Sequence, residues 1–204
     1  MLTIQLGEMK RLIDYKDSQS ISTQHGVKGE GHPKVCFWSE DSKSNRPYVY
    51  MYDFFKIYTQ LGQYFSLESF QSFYYEFKAC ISVLEQNLKM RISKMKSSDI
   101  TTENIGLFSQ LADKFKGNIY FEYIFHDSIR DYRAKRENKK LPTLKSVQEI
   151  FKPYTINRIL VAYKLFYVGC SRAKEELIVL VDQEKISGFE AEFKSKMSSV
   201  GFEI

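Results

Sequence analysis

The spacing of apolar and polar residues divides the chain into three sections. Near the N-terminus, β-branched and aromatic residues at 19–24 and 34–38 flank a glycine-rich segment, which predicts two strands joined by a loop. Over 48–151 the aromatic residues recur at helical spacing with charged residues between them, which predicts a block of helices. After it, the pattern predicts an amphipathic helix from about Ile156 and an aliphatic strand at 177–181.

The helical block contains several predicted helices, separated at glycine, serine and proline positions. They cover 48–61, 67–95, 100–115, 119–137 and 143–151. Ser66 or Ser98 is a candidate N-cap. The aromatic run at 69–80 fits a surface that stacks bases, but aromatic stripes at helical spacing more often belong to the core, and we favour the core.

The pattern as a whole predicts an α/β fold. Because the strand at 177–181 is aliphatic on both faces, we expect it in the middle of a parallel sheet covered by helices on each side. The predicted organisation is a three-layer domain formed by 1–47 and 153–204, with a large helical insertion at 48–152.

Composition adds the cellular setting. The 204 residues carry a formal charge of +5, which suits a polyanionic partner. The odd number of cysteines, at Cys36, Cys80 and Cys170, favours reduced thiols over a disulfide scaffold. Since no apolar run approaches the roughly 18 residues of a membrane span, we expect a soluble, cytoplasmic protein with no membrane partner.

Two short motifs are candidates for chemistry. The first is the glycine-rich loop Ser22–His32, in which Lys28 supplies a positive charge and the glycines let the backbone approach a phosphate. The second is the basic turn around Arg172, between the last helix and the last strand. A guanidinium group there suits a phosphate bound at the edge of a sheet. The alternatives are a turn with a solvated lysine, and a surface arginine that pairs with Glu175 or Glu176.

Together the two motifs resemble motifs V and VI of UvrD/Rep-like superfamily 1 helicases. The first follows the pattern T-x-H-x-x-K-G and the second Y-V-x-x-[ST]-R-A-K-x-x-L. The matching residues are Thr23, His25, Lys28, Gly29, Tyr167, Val168, Ser171, Arg172, Ala173, Lys174 and Leu177. The resemblance covers roughly 15–40 and 156–182, and the helical middle is outside it.

The resemblance implies a RecA-like domain, the second of the two in a helicase motor. Arg172 is then the arginine finger that contacts the γ-phosphate of ATP. Thr23 and His25 lie along the single-stranded DNA, and Lys28 and Gly29 shape their loop. The expected activity is that of an ATP-dependent DNA helicase or translocase.

The chain departs from the family pattern in three respects. Many family members have Gly-Leu-Glu followed by an aromatic residue, whereas this chain has Gly29-Glu30-Gly31-His32; Glu30 then serves the nucleotide from a shifted register. The interval 41–155 is longer than expected, which predicts an inserted helical module. Because the 204 residues contain neither a Walker A loop nor an acidic Mg²⁺-binding strand motif, ATP and Mg²⁺ are expected to be held mainly by a separate N-terminal RecA-like half.

Other readings remain open at this point. The chain is alternatively a non-catalytic module derived from a helicase half, which binds a protein such as a nuclease or single-stranded nucleic acid. His25, His32 and Cys36 do not have a familiar ligand spacing, so no metal site is expected. Cys170 has no identifiable general base nearby in the sequence, which disfavours a nucleophilic role.

Overall fold

The computed structural model describes residues 31–42 and 48–204 of the chain. The described part is mostly helical and has a small two-stranded parallel sheet, so the broad α/β class is confirmed. The strands are β1 (His32–Trp38) and β2 (Ala173–Leu180). The helices are α1 (Met51–Gln60), α2 (Leu67–Leu88), α3 (Thr102–Lys114), α4 (Ile119–Ile124), α5 (His126–Glu137), α6 (Leu144–Ile150), α7 (Tyr154–Cys170), α8 (Gln183–Ile186) and α9 (Glu190–Ser199).

The described residues form two compact units. The smaller unit contains 31–37 and 165–180, and the larger contains 38–42, 48–164 and 181–204. The domain boundaries at 47 and 152 stay predictions from the sequence. No helix within the described residues is long and apolar enough to cross a membrane.

Most predicted helices of the larger unit are confirmed, with two changes. The segment 119–137, predicted as one helix, forms two helices, α4 and α5, separated at Phe125. The helix predicted over 67–95 ends at Leu88, because Lys89 adopts a left-handed backbone conformation (φ 55°) and the next residues form a 3₁₀ turn at Ile92–Lys94. Ser66 caps α2 as expected, since its Oγ accepts a hydrogen bond from Ser69 N at 3.1 Å. The cap of α3 is Thr101 rather than Ser98.

Aromatic rings form the core of the larger unit. Phe70, Phe73 and Phe77 are buried along one face of α2 and contact Tyr120 of α4 and Phe115 after α3. The Phe77 and Phe115 ring centroids are 5.2 Å apart, in edge-to-face geometry. Such pairs contribute about 0.5–1.5 kcal/mol each beyond the burial of their surface. The aromatic run at 69–80 therefore belongs mainly to the core, as predicted.

The two C-terminal helices were not predicted from the sequence. They belong to the larger unit, where Phe193 of α9 packs against Phe55 of α1 with a centroid distance of 5.2 Å. Tyr52 joins this end of the chain to the segment after β1, because its hydroxyl donates to Ser39 O at 2.8 Å and accepts from Asp182 N at 2.9 Å. These helices are short, and they are stabilised mainly by packing of their aromatic residues against the neighbouring aromatic core.

The smaller unit brings β1 beside β2. The expectation that β2 lies in the middle of a sheet is not met among the described residues, where β1 is its one partner strand. Several β2 side chains are exposed, including Ile178 at 47%. The predicted strand at 19–24 lies outside the described residues.

A close contact between α7 and β1 defines the packing of the smaller unit. Phe37 is buried and meets Phe166 edge-on, with ring centroids 5.5 Å apart. A Cβ atom placed on Gly169 would lie 2.2 Å from Phe37 Cδ2, a distance that no real contact shows. Only glycine at 169 therefore allows the helix to approach the strand this closely.

We predict that Gly169→Ala destabilises the protein by about 1–3 kcal/mol, because the added methyl group forces the Phe37 ring or α7 to shift. Gly106→Ala in α3 is the matched control, since nothing lies within 4 Å of its Cβ position. It should stabilise the protein by about 0.5–1 kcal/mol. Urea unfolding measures both, and equal effects of the two substitutions would contradict the close contact.

A paired carboxylate in the larger unit predicts a dependence of stability on pH. Glu122 accepts two hydrogen bonds from the Arg133 guanidinium, at 2.6 and 2.7 Å, and this contact lowers the pKa of Glu122. A carboxylate with a lowered folded-state pKa stabilises the protein above its unfolded pKa, and this stabilisation is lost as the pH falls through the folded pKa.

Glu122→Gln should therefore cost about 1 kcal/mol at pH 7 and progressively less below about pH 4. Glu137→Gln, on an exposed position of α5, is the control and should have little effect at either pH. Thermal unfolding across this pH range provides the measurement. A cost for Glu122→Gln that stays constant down to pH 3 would exclude the pairing as its cause.

Candidate functional site

The candidate site is the turn that joins α7 to β2. The helix ends with Ser171 N donating to Tyr167 O at 2.9 Å and Arg172 N donating to Gly169 O at 3.3 Å. The Ser171 hydroxyl donates to Val168 O at 3.1 Å. The residues of the second motif thus build the turn, and Arg172 follows directly from the end of the helix.

The strand register brings Gly31 and His32, which follow the first motif in the sequence, beside the second motif. His32 N donates to Arg172 O at 2.8 Å, so the first residue of β1 lies beside Arg172. A Cβ atom on Gly31 would lie 2.6 Å from Lys174 Cε, which means that the backbone before β1 passes directly against the Lys174 side chain. The N-terminal ends of the two strands are therefore adjacent.

Of the predicted site residues, the structure describes only Arg172. Its side chain is half-buried, and its backbone is held on both sides by the bonds to Gly169 and His32. Thr23, His25, Lys28, Gly29 and Glu30 lie outside the described residues. Their roles remain predictions from the sequence.

The charges around the turn are mixed. Lys34 Nζ lies 2.5 Å from a Glu176 carboxylate oxygen, so this glutamate already has a cationic partner on β1. Lys174 is exposed at the start of β2, and Tyr167 is 61% exposed on α7. Arg172 and Lys174 are cationic side chains, which suit an anionic ligand such as a phosphate.

Cys170 does not have the properties of a nucleophile. Burial raises the pKa of its thiol to about 11, whereas an activated cysteine has a lowered pKa. Within the described residues, no cluster of three or more His, Cys, Asp or Glu side chains forms a metal site. The set of His25, His32 and Cys36 includes a residue outside that part, so the structure does not describe it.

The raised pKa predicts slow alkylation of Cys170. In the folded protein at pH 8, iodoacetamide should modify Cys170 at least about tenfold more slowly than in urea, because little thiolate is present and access is restricted. Peptide mapping by mass spectrometry gives the rate for each cysteine. Alkylation faster in the folded protein than in urea would reveal an activated thiol.

A second feature, which no pattern in the sequence predicted, is an open cavity of about 540 Å³ in the larger unit. It is lined by residues of α1, α4, α5 and α7 that are far apart in the chain, among them Asp53, Lys56 and His126. Burial, together with the nearby Asp53, raises the pKa of Tyr123 at its wall to about 12, so this phenol stays protonated. The lining mixes both charges and does not select one class of ligand.

Comparison with protein-family models, with curated proteins and with solved structures finds no match to this chain.

Proposed function

We propose that the chain is the second motor domain of an ATP-dependent DNA helicase or translocase, with a RecA-like fold. The observation that carries the proposal is the pairing of β1 with β2, in which His32 N donates a hydrogen bond to Arg172 O of the second motif. Residues that follow the first motif in sequence are thus neighbours of the second motif's arginine. A chance resemblance of two short motifs would not require this adjacency.

Arg172 would act as the arginine finger. Its guanidinium group is permanently charged and forks onto phosphate oxygens, which suits stabilisation of charge at a terminal phosphate. The turn supports this role because the backbone N and O atoms of Arg172 are both hydrogen-bonded, which fixes the position of its Cα atom. Lys174 adds a second cation beside Gly31.

The donor set fits part of a nucleotide site. The described residues Arg172 and Lys174 offer cations for phosphate, and the 204 residues contain no Walker A loop. ATP with Mg²⁺, held mainly by an N-terminal half, would supply the free energy of phosphoryl transfer. This chain would contribute Arg172 across the cleft, with Gly29 and Glu30 near the nucleotide.

Translocation would use the loop before β1. Thr23, His25 and Lys28 are proposed to contact the backbone of single-stranded DNA. Because their loop leads directly into β1, and β1 is bonded to the Arg172 turn, a displacement of the turn would be transmitted to the loop. The DNA contacts and the nucleotide contact would therefore move together.

The test is DNA-stimulated ATP hydrolysis by the chain assembled with a half that carries the Walker A loop. Arg172→Ala should reduce the rate roughly a thousandfold or more, and Arg172→Lys should not restore it because an ammonium group lacks the fork. Arg130→Ala, which removes an exposed arginine of α5, is the matched control and should leave the rate unchanged. Hydrolysis by Arg172→Ala at the wild-type rate would refute the finger assignment.

A further inference from the structure

The segment after α2 forms a cationic loop in the larger unit. The sequence KMRISKMK at 89–96 places four exposed cations, Lys89, Arg91, Lys94 and Lys96, within eight residues. None of the four takes part in the ion pairs formed among the described residues. Their charges are therefore presented to solvent together.

The backbone of the cationic loop is fixed by two buried apolar side chains and by hydrogen bonds to carboxylates. Ile92 and Met95 are buried, with exposures of 1% and 4%. The nearby carboxylates are turned to the loop backbone: Glu85 accepts from Ile92 N at 2.9 Å, and Asp99 accepts from Lys96 N at 2.7 Å. These contacts fix the backbone of the loop. The carboxylates of Glu85 and Asp99 accept hydrogen bonds from backbone N–H groups and form no ion pair with the four cations.

The positive surface continues onto α6 and α7 through Gln148. Its amide nitrogen donates to Ile92 O at 3.1 Å, and its amide oxygen accepts from Lys152 Nζ at 3.4 Å. Lys152 Nζ in turn lies 5.9 Å from the centroid of the Tyr154 ring. Gln148 therefore connects the backbone of the cationic loop to Lys152, a fifth cation, which lies beside the Tyr154 ring.

Tyr154 is exposed but held in place. It is 46% exposed, and the Arg158 guanidinium carbon lies 4.5 Å from its ring centroid. Arg158 also lies 4.7 Å from the ring centroids of both Tyr48 and Tyr50 and donates to the Tyr50 hydroxyl. An exposed ring that is restrained in this way loses little freedom when a planar group stacks on it.

We infer that this cation–aromatic strip, comprising Lys89, Arg91, Lys94, Lys96, Lys152 and Tyr154, binds single-stranded nucleic acid. The loop cations contact successive phosphates, and Tyr154 stacks against an unpaired base. Grooves that combine backbone-tracking cations with aromatic platforms are characteristic of single-strand binders. The inference does not rest on the proposed motor function, because the strip belongs entirely to the larger unit.

Other polyanions fit the strip less well. A membrane surface favours apolar side chains that insert beside the cations, but Ile92 and Met95 of the loop are buried. An acidic peptide has no requirement for the restrained, exposed ring of Tyr154. The combination of fixed charge and stacking surface therefore favours a ligand that has both phosphates and bases.

The test measures binding of a fluorescein-labelled oligothymidylate by anisotropy over a range of salt concentrations. Arg91→Glu with Lys94→Glu should weaken binding at least about tenfold and reduce the salt slope by roughly 1.4, the value for two lost contacts to a single strand. Tyr154→Ala should weaken binding about tenfold, and Tyr154→Phe should retain wild-type affinity because the ring remains.

The matched control is Lys78→Glu with Lys116→Glu. This pair makes the same change in net charge at exposed positions outside the strip, and Lys78 lies roughly 15 Å along α2 from the end of that helix. It should alter affinity less than about threefold. The fold loss caused by the loop pair should be the same in a Lys28→Ala background, which separates the strip from the DNA contacts of the proposed function.

Three results would overturn the inference. The first is no binding by the wild-type chain at low salt. The second is an equal loss in the control pair and the loop pair, which would reveal only an effect of net charge. The third is unchanged affinity in Tyr154→Ala together with equal binding to heparin or to phosphatidylserine vesicles, which would indicate a surface for polyanions in general.

Discussion

The close approach of α7 to β1 is the constraint on which the proposed site depends. With no side chain at Gly169, the Phe37 ring packs directly on the helix one residue before its end. The helix then has to turn within Ser171 and Arg172 to enter β2 beside β1. A bulkier residue at 169 would displace this turn, and the position of Arg172 would change with it. The glycine thus serves the site without contacting a ligand.

The two units differ in how far their apolar side chains are buried. The larger unit is stabilised by interlocking aromatic rings, which explains why Phe70, Phe73 and Phe77 recur along one face of α2. In the smaller unit β2 is partly exposed, and Tyr167 and Ile178 are exposed at 61% and 47%.

The sequence predicted the helices well because periodic burial and local capping are encoded within short segments, as Ser66 and the aromatic face of α2 illustrate. It did not predict the cationic loop. Extending α2 to residue 95 would have distributed Lys89, Arg91 and Lys94 around several faces of a helix. The left-handed backbone conformation of Lys89 ends the helix instead. In the loop that follows, the side chains of Ile92 and Met95 are buried and the cations are exposed. The contacts of Tyr154 with Arg158, Tyr48 and Tyr50 depend on tertiary packing, so no local pattern reveals them.

A cross-link tests the strand pairing that places Gly31, which follows the first motif in the sequence, beside Lys174 of the second motif. In a background without the native cysteines, Gly31→Cys with Lys174→Cys should form a disulfide under mild oxidation, because a Cβ on residue 31 lies 3.5 Å from Lys174 Cγ. Gly31→Cys with Ile178→Cys, placed further along β2, should remain reduced. Efficient cross-linking of the first pair and not the second, read by mass spectrometry, is the predicted result. A reduced first pair, or equal cross-linking of both, would contradict the strand pairing on which the proposed function stands.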